Sequence, residues 1–160
     1  MEPAYTLITS EADYRQACTT VIARATRELL IFDRDLAAPR LDEKSSIDLL
    51  TAFLAEQGLR RIRIVLHDPE QLRARAPRLM QLFARFSHLI EIRQTPDNLR
   101  QLADTHILAD GMHAVRRFQF DQPRCALTLD DPAAVHPWHQ RFEDLWEQSL
   151  PCLSVNATGL

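Results

Sequence analysis

The chain has 160 residues, 46% of them hydrophobic and 26% charged, with a formal net charge of −3, which suits one domain with a buried core. Its three glycines exclude Gly-rich phosphate cradles of the Walker or dinucleotide type. Its three widely spaced cysteines, Cys18, Cys125 and Cys152, make neither a disulfide framework nor a metal knuckle, and the small negative charge gives no global attraction to nucleic acid or anionic lipid.

Reduced thiols are the simplest state of these cysteines. No basic-then-apolar leader opens the chain, and no apolar run approaches the ~20 residues that span a bilayer. A soluble cytoplasmic protein is expected, with no membrane partner, no cofactor and no metal. Charge is unevenly spread: residues 58–100 hold nine arginines against four carboxylates, while the segments on either side are acidic.

Residues 4–9 read as a short strand. Ser10 has N-cap chemistry, and apolar residues at Tyr14, Ala17, Val21, Ile22 and Ala25 keep helical spacing, with Cys18 on the core side. Leu29–Phe32 is a continuous apolar run, the pattern of a strand buried on both faces between parallel neighbours, and it ends in Asp33-Arg34-Asp35. After a loop over 36–44, Ser45 or Ser46 is placed to cap a helix that Gly58 stops. Arg61–Leu66 reads as a strand closed by His67-Asp68-Pro69. Residues 70–86 read as helical, with a break at Pro77. Leu89–Ile92 is a strand, and a helical turn through Leu99 and Leu102 follows.

Residues 102–131 then read as strand, turn, strand, Pro-containing bend and strand. Asp110-Gly111 between alternating apolar runs is a strong hairpin signal. A last helix starts at Asp131-Pro132 with Phe142, Leu145 and Trp146 inward, and the crowded His136-Pro137-Trp138-His139 reads as a capping loop at its start. The order predicts an α/β fold: a mixed, mostly parallel central sheet, helices on both faces, and an antiparallel hairpin near the C-terminal third. Residues 1–150 are expected to form a single domain and 151–160 a loose tail.

Three pieces, LLTAFLAEQGLRRIRIVLHD, ADTHILADG and RFEDLWEQS, occur in that order across most of residues 47–149. Together they resemble half of a phospholipase D-like domain. Active members of that superfamily carry His-x-Lys-x-x-x-x-Asp, usually followed by Gly. The histidine attacks phosphorus, the lysine holds phosphate oxygens, and two such halves face each other. With Asp110 as the motif aspartate, the resemblance puts Ala103 at the histidine position and Thr105 at the lysine position. Sliding the register to use His106 as nucleophile puts Leu108 at the lysine and His113 at the aspartate, and breaks the Asp-Gly turn. Either register implies lost phosphodiesterase activity. The resemblance also implies pairing, as a homodimer or with a partner domain in a longer protein.

The residues suggest two further readings. In open α/β sheets, ligands sit beyond the carboxyl ends of parallel strands. Asp33, Arg34, Asp35, His67 and Asp68, with His106, therefore form a candidate pocket for a rebuilt hydrolase, although aspartates at strand ends also cap turns. His106 and His113 flank the turn and are placed to meet across the hairpin, or to be packed structurally. Arg61, Arg63, Arg116 and Arg117 are candidate phosphate-binding side chains for a nucleic-acid or phosphate ligand. Alternation turns Phe118 and Phe120 inward, which leaves few stacking platforms. The leading expectation is a silent phospholipase D-like module that acts by dimerisation, regulation or binding.

Overall fold

A computed structural model describes residues 2–152. Eight strands form one sheet in the order β1-β7-β6-β5-β2-β3-β4-β8. Their ranges are β1 Ala4–Ile8, β2 Glu28–Asp33, β3 Arg61–Leu66, β4 Ile90–Gln94, β5 Thr105–Ala109, β6 His113–Arg117, β7 Cys125–Leu129 and β8 Leu150–Pro151. The helices are α1 Glu11–Arg24, α2 Lys44–Ala55, α3 Leu72–Arg75, α4 Pro77–Arg85 and α5 Pro132–Gln148. The expected loose tail, 151–160, starts inside β8, where Pro151 pairs with Arg93, and from residue 153 on it lies outside the described residues.

The mixed sheet with a hairpin is as the sequence predicts, but it is not mostly parallel. Only β2–β3 and β3–β4 run parallel, joined by crossovers through α2 and through α3–α4. The other pairings are antiparallel, because β5, β6 and β7 follow one another through short turns that reverse the chain. The central apolar strand β2 consequently has β3 on its parallel side and β5 on its antiparallel side.

Alternation along the strands separates two cores. Leu29, Ile31, Ile62, Ile64, Ile107 and Val115 face the layer holding α1, α2 and α4, and Leu30, Phe32, Val65, Leu108 and Ala114 face α5 through Val135, Phe142, Leu145 and Trp146. Helices therefore cover both faces. Ser10 caps α1 by accepting from Asp13 N at 3.1 Å, and Asp131 caps α5 by accepting from Ala134 N at 3.1 Å, with Pro132 at the first helical position. Pro77 opens α4 after the break at Ala76.

Two local expectations fail. Neither Ser45 nor Ser46 caps α2, which starts earlier, at Lys44, with Ile47 N already bonded to Glu43 O at 2.9 Å. Nor are residues 136–139 a loop; they lie inside α5. Pro137 is tolerated there because it and Ala133, whose carbonyl it cannot bond, are both on the exposed side.

The hairpin turn has Asp110 at φ 57° and Gly111 at φ 69°, with Met112 N bonded to Ala109 O at 3.1 Å, the positive-φ pair of a type I′ turn. The Asp110 carboxylate reaches across to the start of β2. It accepts from Thr26 N at 2.8 Å, Thr26 Oγ1 at 3.0 Å, Arg27 N at 2.8 Å and Glu28 N at 3.0 Å. Burial alone would raise its pKa, but these donors hold it below the usual carboxylate range. Asp110→Ala strands the donors and is expected to cost about 3 kcal/mol of unfolding free energy, with Asp110→Asn recovering part of it. Urea midpoints measure this; a loss under about 1 kcal/mol would mean the turn holds without its carboxylate.

Candidate functional site

Because β5 runs antiparallel to β2, with Phe32 opposite His106, the amino end of β5 lies beside the carboxyl end of β2. Thr105 and Asp33 therefore come together on the α1 side of the sheet, both buried, in a small enclosed gap with Tyr14 and Ile31. Asp33 Oδ2 accepts from Leu36 N at 2.6 Å. Burial, reinforced by the charge of Asp35, pushes its carboxyl up to about 6. Tyr14 stands beside Thr105 and Cys18, and burial drives its hydroxyl well above the ordinary phenol range. The nearby cation is Arg117, paired in register with Thr105. It is 2% exposed, bound in a fork to Glu11 at 2.6 and 3.0 Å, and laid over the Tyr14 ring at 4.6 Å.

Ala103 sits just before β5. Its carbonyl accepts from Phe120 N at 2.7 Å, and Arg34 stacks on Phe120 at 4.3 Å. Outside this point opens a cleft of about 560 Å³, lined by Arg15, Arg34 and Arg40 and by Glu11, Asp33 and Asp35. Its charge is mixed rather than basic. Thr105 adds no positive charge and Ala103 no nucleophile.

The strand-end set expected to form one pocket is divided between the two faces. Asp33 lies on the α1 side, whereas His67 and His106 lie on the α5 side, each against Phe32 at 5.3 and 5.6 Å. His67 Nε2 donates to Leu102 O at 2.9 Å and Nδ1 accepts from Thr95 Oγ1 at 2.7 Å, so both nitrogens are engaged. Burial lowers its pKa. Asp68 is held by Arg34 at 3.2 Å and Arg100 at 2.5 Å, and Asp35 by Arg75 at 3.2 Å. Among the described residues, no group of three or more His, Cys, Asp or Glu is placed to hold a metal.

His106 and His113 do not meet. His113 pairs with Ala109 and His106 with Arg116, positions of opposite parity, so the two rings point to opposite faces of the sheet. His113 Nδ1 accepts from Asp130 N at 3.1 Å. His106 is 2% exposed in a box with Phe32 and Phe142, and neither ring nitrogen has a partner among the described residues.

Of the expected phosphate-binding arginines, Arg63 forks onto Glu143 at 2.8 and 2.8 Å and lies over Trp146 at 5.3 Å, clamping α5 to the sheet, and Arg117 is taken by Glu11. Arg61 is exposed. Arg116 has no ion pair among the described residues. Sequence reasoning passed over Asp104, Arg141 and the sheet-facing role of Trp138. Their only signal was helical phase, which puts Trp138, Arg141, Phe142 and Leu145 on one side of α5 once residues 136–139 are read as helix.

His106 makes stability pH-dependent. Burial, with the charges of Arg141 and Arg116 adding to it, lowers its pKa from 6.5 to about 3. Below about pH 6.5 the unfolded chain takes up a proton that the folded chain refuses, so acid removes up to about 1.4 kcal/mol per pH unit down to about pH 3. Asp33, raised from 3.8 to about 6, acts oppositely in that window, because the folded chain holds the extra proton. His106→Leu fills the box without polar atoms. It is expected to be at least as stable as the native chain at neutral pH and to gain on it progressively below pH 6.5. Parallel urea-midpoint curves for the two proteins from pH 7 to 4 would count against this.

No curated protein matches the chain. Solved structures resemble it at low identity, which speaks to fold alone. TrmBL2, an archaeal chromatin protein whose structure is described as showing a novel mode of DNA binding, has a TM-score of 0.67 at 13% identity, over 92% of this chain and 54% of its own. Nuc from Salmonella typhimurium, a phospholipase D family member, has a TM-score of 0.66 at 14% identity, over 96% of this chain and 100% of its own. Phosphatidylserine synthase from Haemophilus influenzae Rd KW20 has a TM-score of 0.62 at 10% identity, over 96% of this chain and 40% of its own. This chain thus spans the whole of Nuc but about half of the chromatin protein. No helix among the described residues is long and apolar enough to cross a membrane. A family model described as "Domain of unknown function (DUF7931)" matches residues 10–157, so the chain, phospholipase D-like in fold, belongs to that family.

Proposed function

We propose that this domain is a catalytically silent phospholipase D-like half that acts through association, pairing with a second copy or with a partner domain of a longer protein. The observation that carries the reading is the amino end of β5. Attack on phosphorus needs a lone pair on a reactive side chain and positive charge on the non-bridging oxygens. Ala103 supplies neither, and Thr105 supplies no charge and only a buried hydroxyl, with a carboxyl, Asp33, among its buried neighbours. Arg117 is neutralised by Glu11. His106 is no substitute, since it is sealed on the opposite face.

The rebuilt-hydrolase alternative loses support from the engagement of His67 and Asp68. The arginine band offers less free charge than its sequence suggests, because Arg63, Arg75, Arg93 and Arg100 each have a carboxylate partner. Pairing is supported by the resemblance to a superfamily built of facing halves, and by the match to the full length of Nuc alongside part of two longer chains.

Two measurements test the reading. Bis(p-nitrophenyl) phosphate and p-nitrophenyl phosphate, with and without added divalent metals, are expected to show no turnover above buffer; turnover lost in Asp33→Asn would restore the hydrolase. Light scattering on a sizing column is expected to give twice the chain mass at high micromolar concentration, and a clean monomer there would remove self-pairing.

A further inference from the structure

The α5 face of the sheet, away from the degenerate motif, carries a different feature. Five side chains form a continuous ladder of alternating cation and ring. Arg141 lies 5.9 Å from the Trp138 ring, Arg116 lies 3.9 Å from the Trp138 ring and 5.8 Å from Phe118, and Arg124 lies 5.9 Å from Phe118. Three elements contribute: β6 supplies Arg116, the turn after it supplies Phe118 and Arg124, and α5 supplies Trp138 and Arg141. A slot of about 320 Å³ opens along its Arg116, Phe118, Trp138 and Arg141 part, bordered also by Asp104 and Arg117, with Arg124 beyond its edge against Phe118.

The charge along the ladder is unbalanced. Arg141 is held by Asp104 in a two-point fork at 2.6 and 2.8 Å, which neutralises that end and fixes the guanidinium. Arg116 and Arg124 have no carboxylate within ion-pair distance among the described residues. Arg124 is exposed, and Trp138 and Phe118 are only half-buried. Elsewhere in the chain most buried or half-buried arginines have such a partner, Arg63, Arg93 and Arg117 among them. Two open guanidinium groups interleaved with two half-open rings match a ligand that alternates anions with flat rings.

We propose that this slot, with Arg124 at its edge, is a nucleotide-binding site, which seats phosphates on Arg116 and Arg124 and stacks a base against the Trp138–Phe118 rungs. Phosphate and base together are the recognised chemistry, and a free mononucleotide and a single-stranded nucleic acid both present it. The site stands apart from the pairing proposed above and rests on other residues, so either can fail alone.

The test uses the full chain at low salt, with fluorescein-labelled ten-residue oligo(dT) and oligo(rA) followed by anisotropy, and adenosine monophosphate and inorganic phosphate as competitors. Arg116→Gln and Arg124→Gln, which break no ion pair seen here, are expected to weaken oligonucleotide binding on the order of tenfold each, about the loss of one charged contact. Trp138→Phe is expected to weaken it less. Arg15→Gln, in the cleft of the opposite face, is expected to bind as the native chain does. Matching thermal melts exclude unfolding as the cause. If the mononucleotide competes as well as the oligonucleotide per site, the ligand is a free nucleotide; if the strand binds far more tightly, it is a nucleic acid. Absence of binding at low salt, native affinity in both arginine variants, or competition by inorganic phosphate equal to that of the mononucleotide would each overturn the proposal, as would a loss confined to Arg15→Gln.

Discussion

The Asp110 carboxylate is the contact on which the arrangement of both faces depends. Its four hydrogen bonds to Thr26, Arg27 and Glu28 tie the hairpin turn to the first residue of β2. With that point fixed, the antiparallel register of β2 and β5 follows residue by residue, from Leu29 opposite Ala109 to Phe32 opposite His106. A slip of one residue would exchange the two faces of β5. In one direction it would put His106 where Thr105 is, beside Asp33, and in the other it would put Thr105 into the aromatic box. The carboxylate therefore decides which side chains can become neighbours at the other end of the strand, where the chemistry of a phospholipase D-like fold would have to sit.

At that far end the two faces are built differently. On the α1 side, the charged groups are engaged, Asp33 by Leu36 N and Arg117 by Glu11 and the Tyr14 ring, while the buried Thr105 hydroxyl has no hydrogen-bond partner among the described residues. A buried charge with one good partner is costly to disturb and unavailable to a ligand. On the α5 side, the inner layer is likewise closed, with Arg63 clamped to Glu143. Its outer rim is not closed, because α5 passes over β6 at Trp138 and leaves Arg116 against a ring rather than a carboxylate. A ring attracts a guanidinium without cancelling its charge, so the rim stays positive in a chain whose net charge is −3.

Much of the scaffold was legible because it rests on local rules. The Asp110-Gly111 turn, the Ser10 and Asp131 caps and the break at Pro77 are set by residues within one turn of each other. What the sequence hid depends on pairing between distant segments. That β2 has one antiparallel neighbour could not be read from its apolar run, since a strand buried on both faces looks the same beside either kind of partner. Asp33 and His67, at the ends of neighbouring strands, lie on opposite faces because the register pairs Asp33 with Leu66, one residue before His67. Trp138 falls in a segment whose crowding reads as a capping loop, whereas the helix runs through it, with Pro137 tolerated on the exposed side of α5. Without Trp138 on the sheet, the rings near Arg116 looked too few to matter.

The three positions of the superfamily motif separate what the fold needs from what the reaction needs. A nucleophile and a phosphate-holding cation contribute to a transition state and nothing to the hydrogen-bond accounting of the hairpin turn. Ala103 still offers its carbonyl to Phe120 N, a backbone contact indifferent to the side chain. The aspartate is different, because four donors of the neighbouring chain segment would be stranded without it. The turn of this fold thus rests on the aspartate and not on particular side chains at 103 and 105.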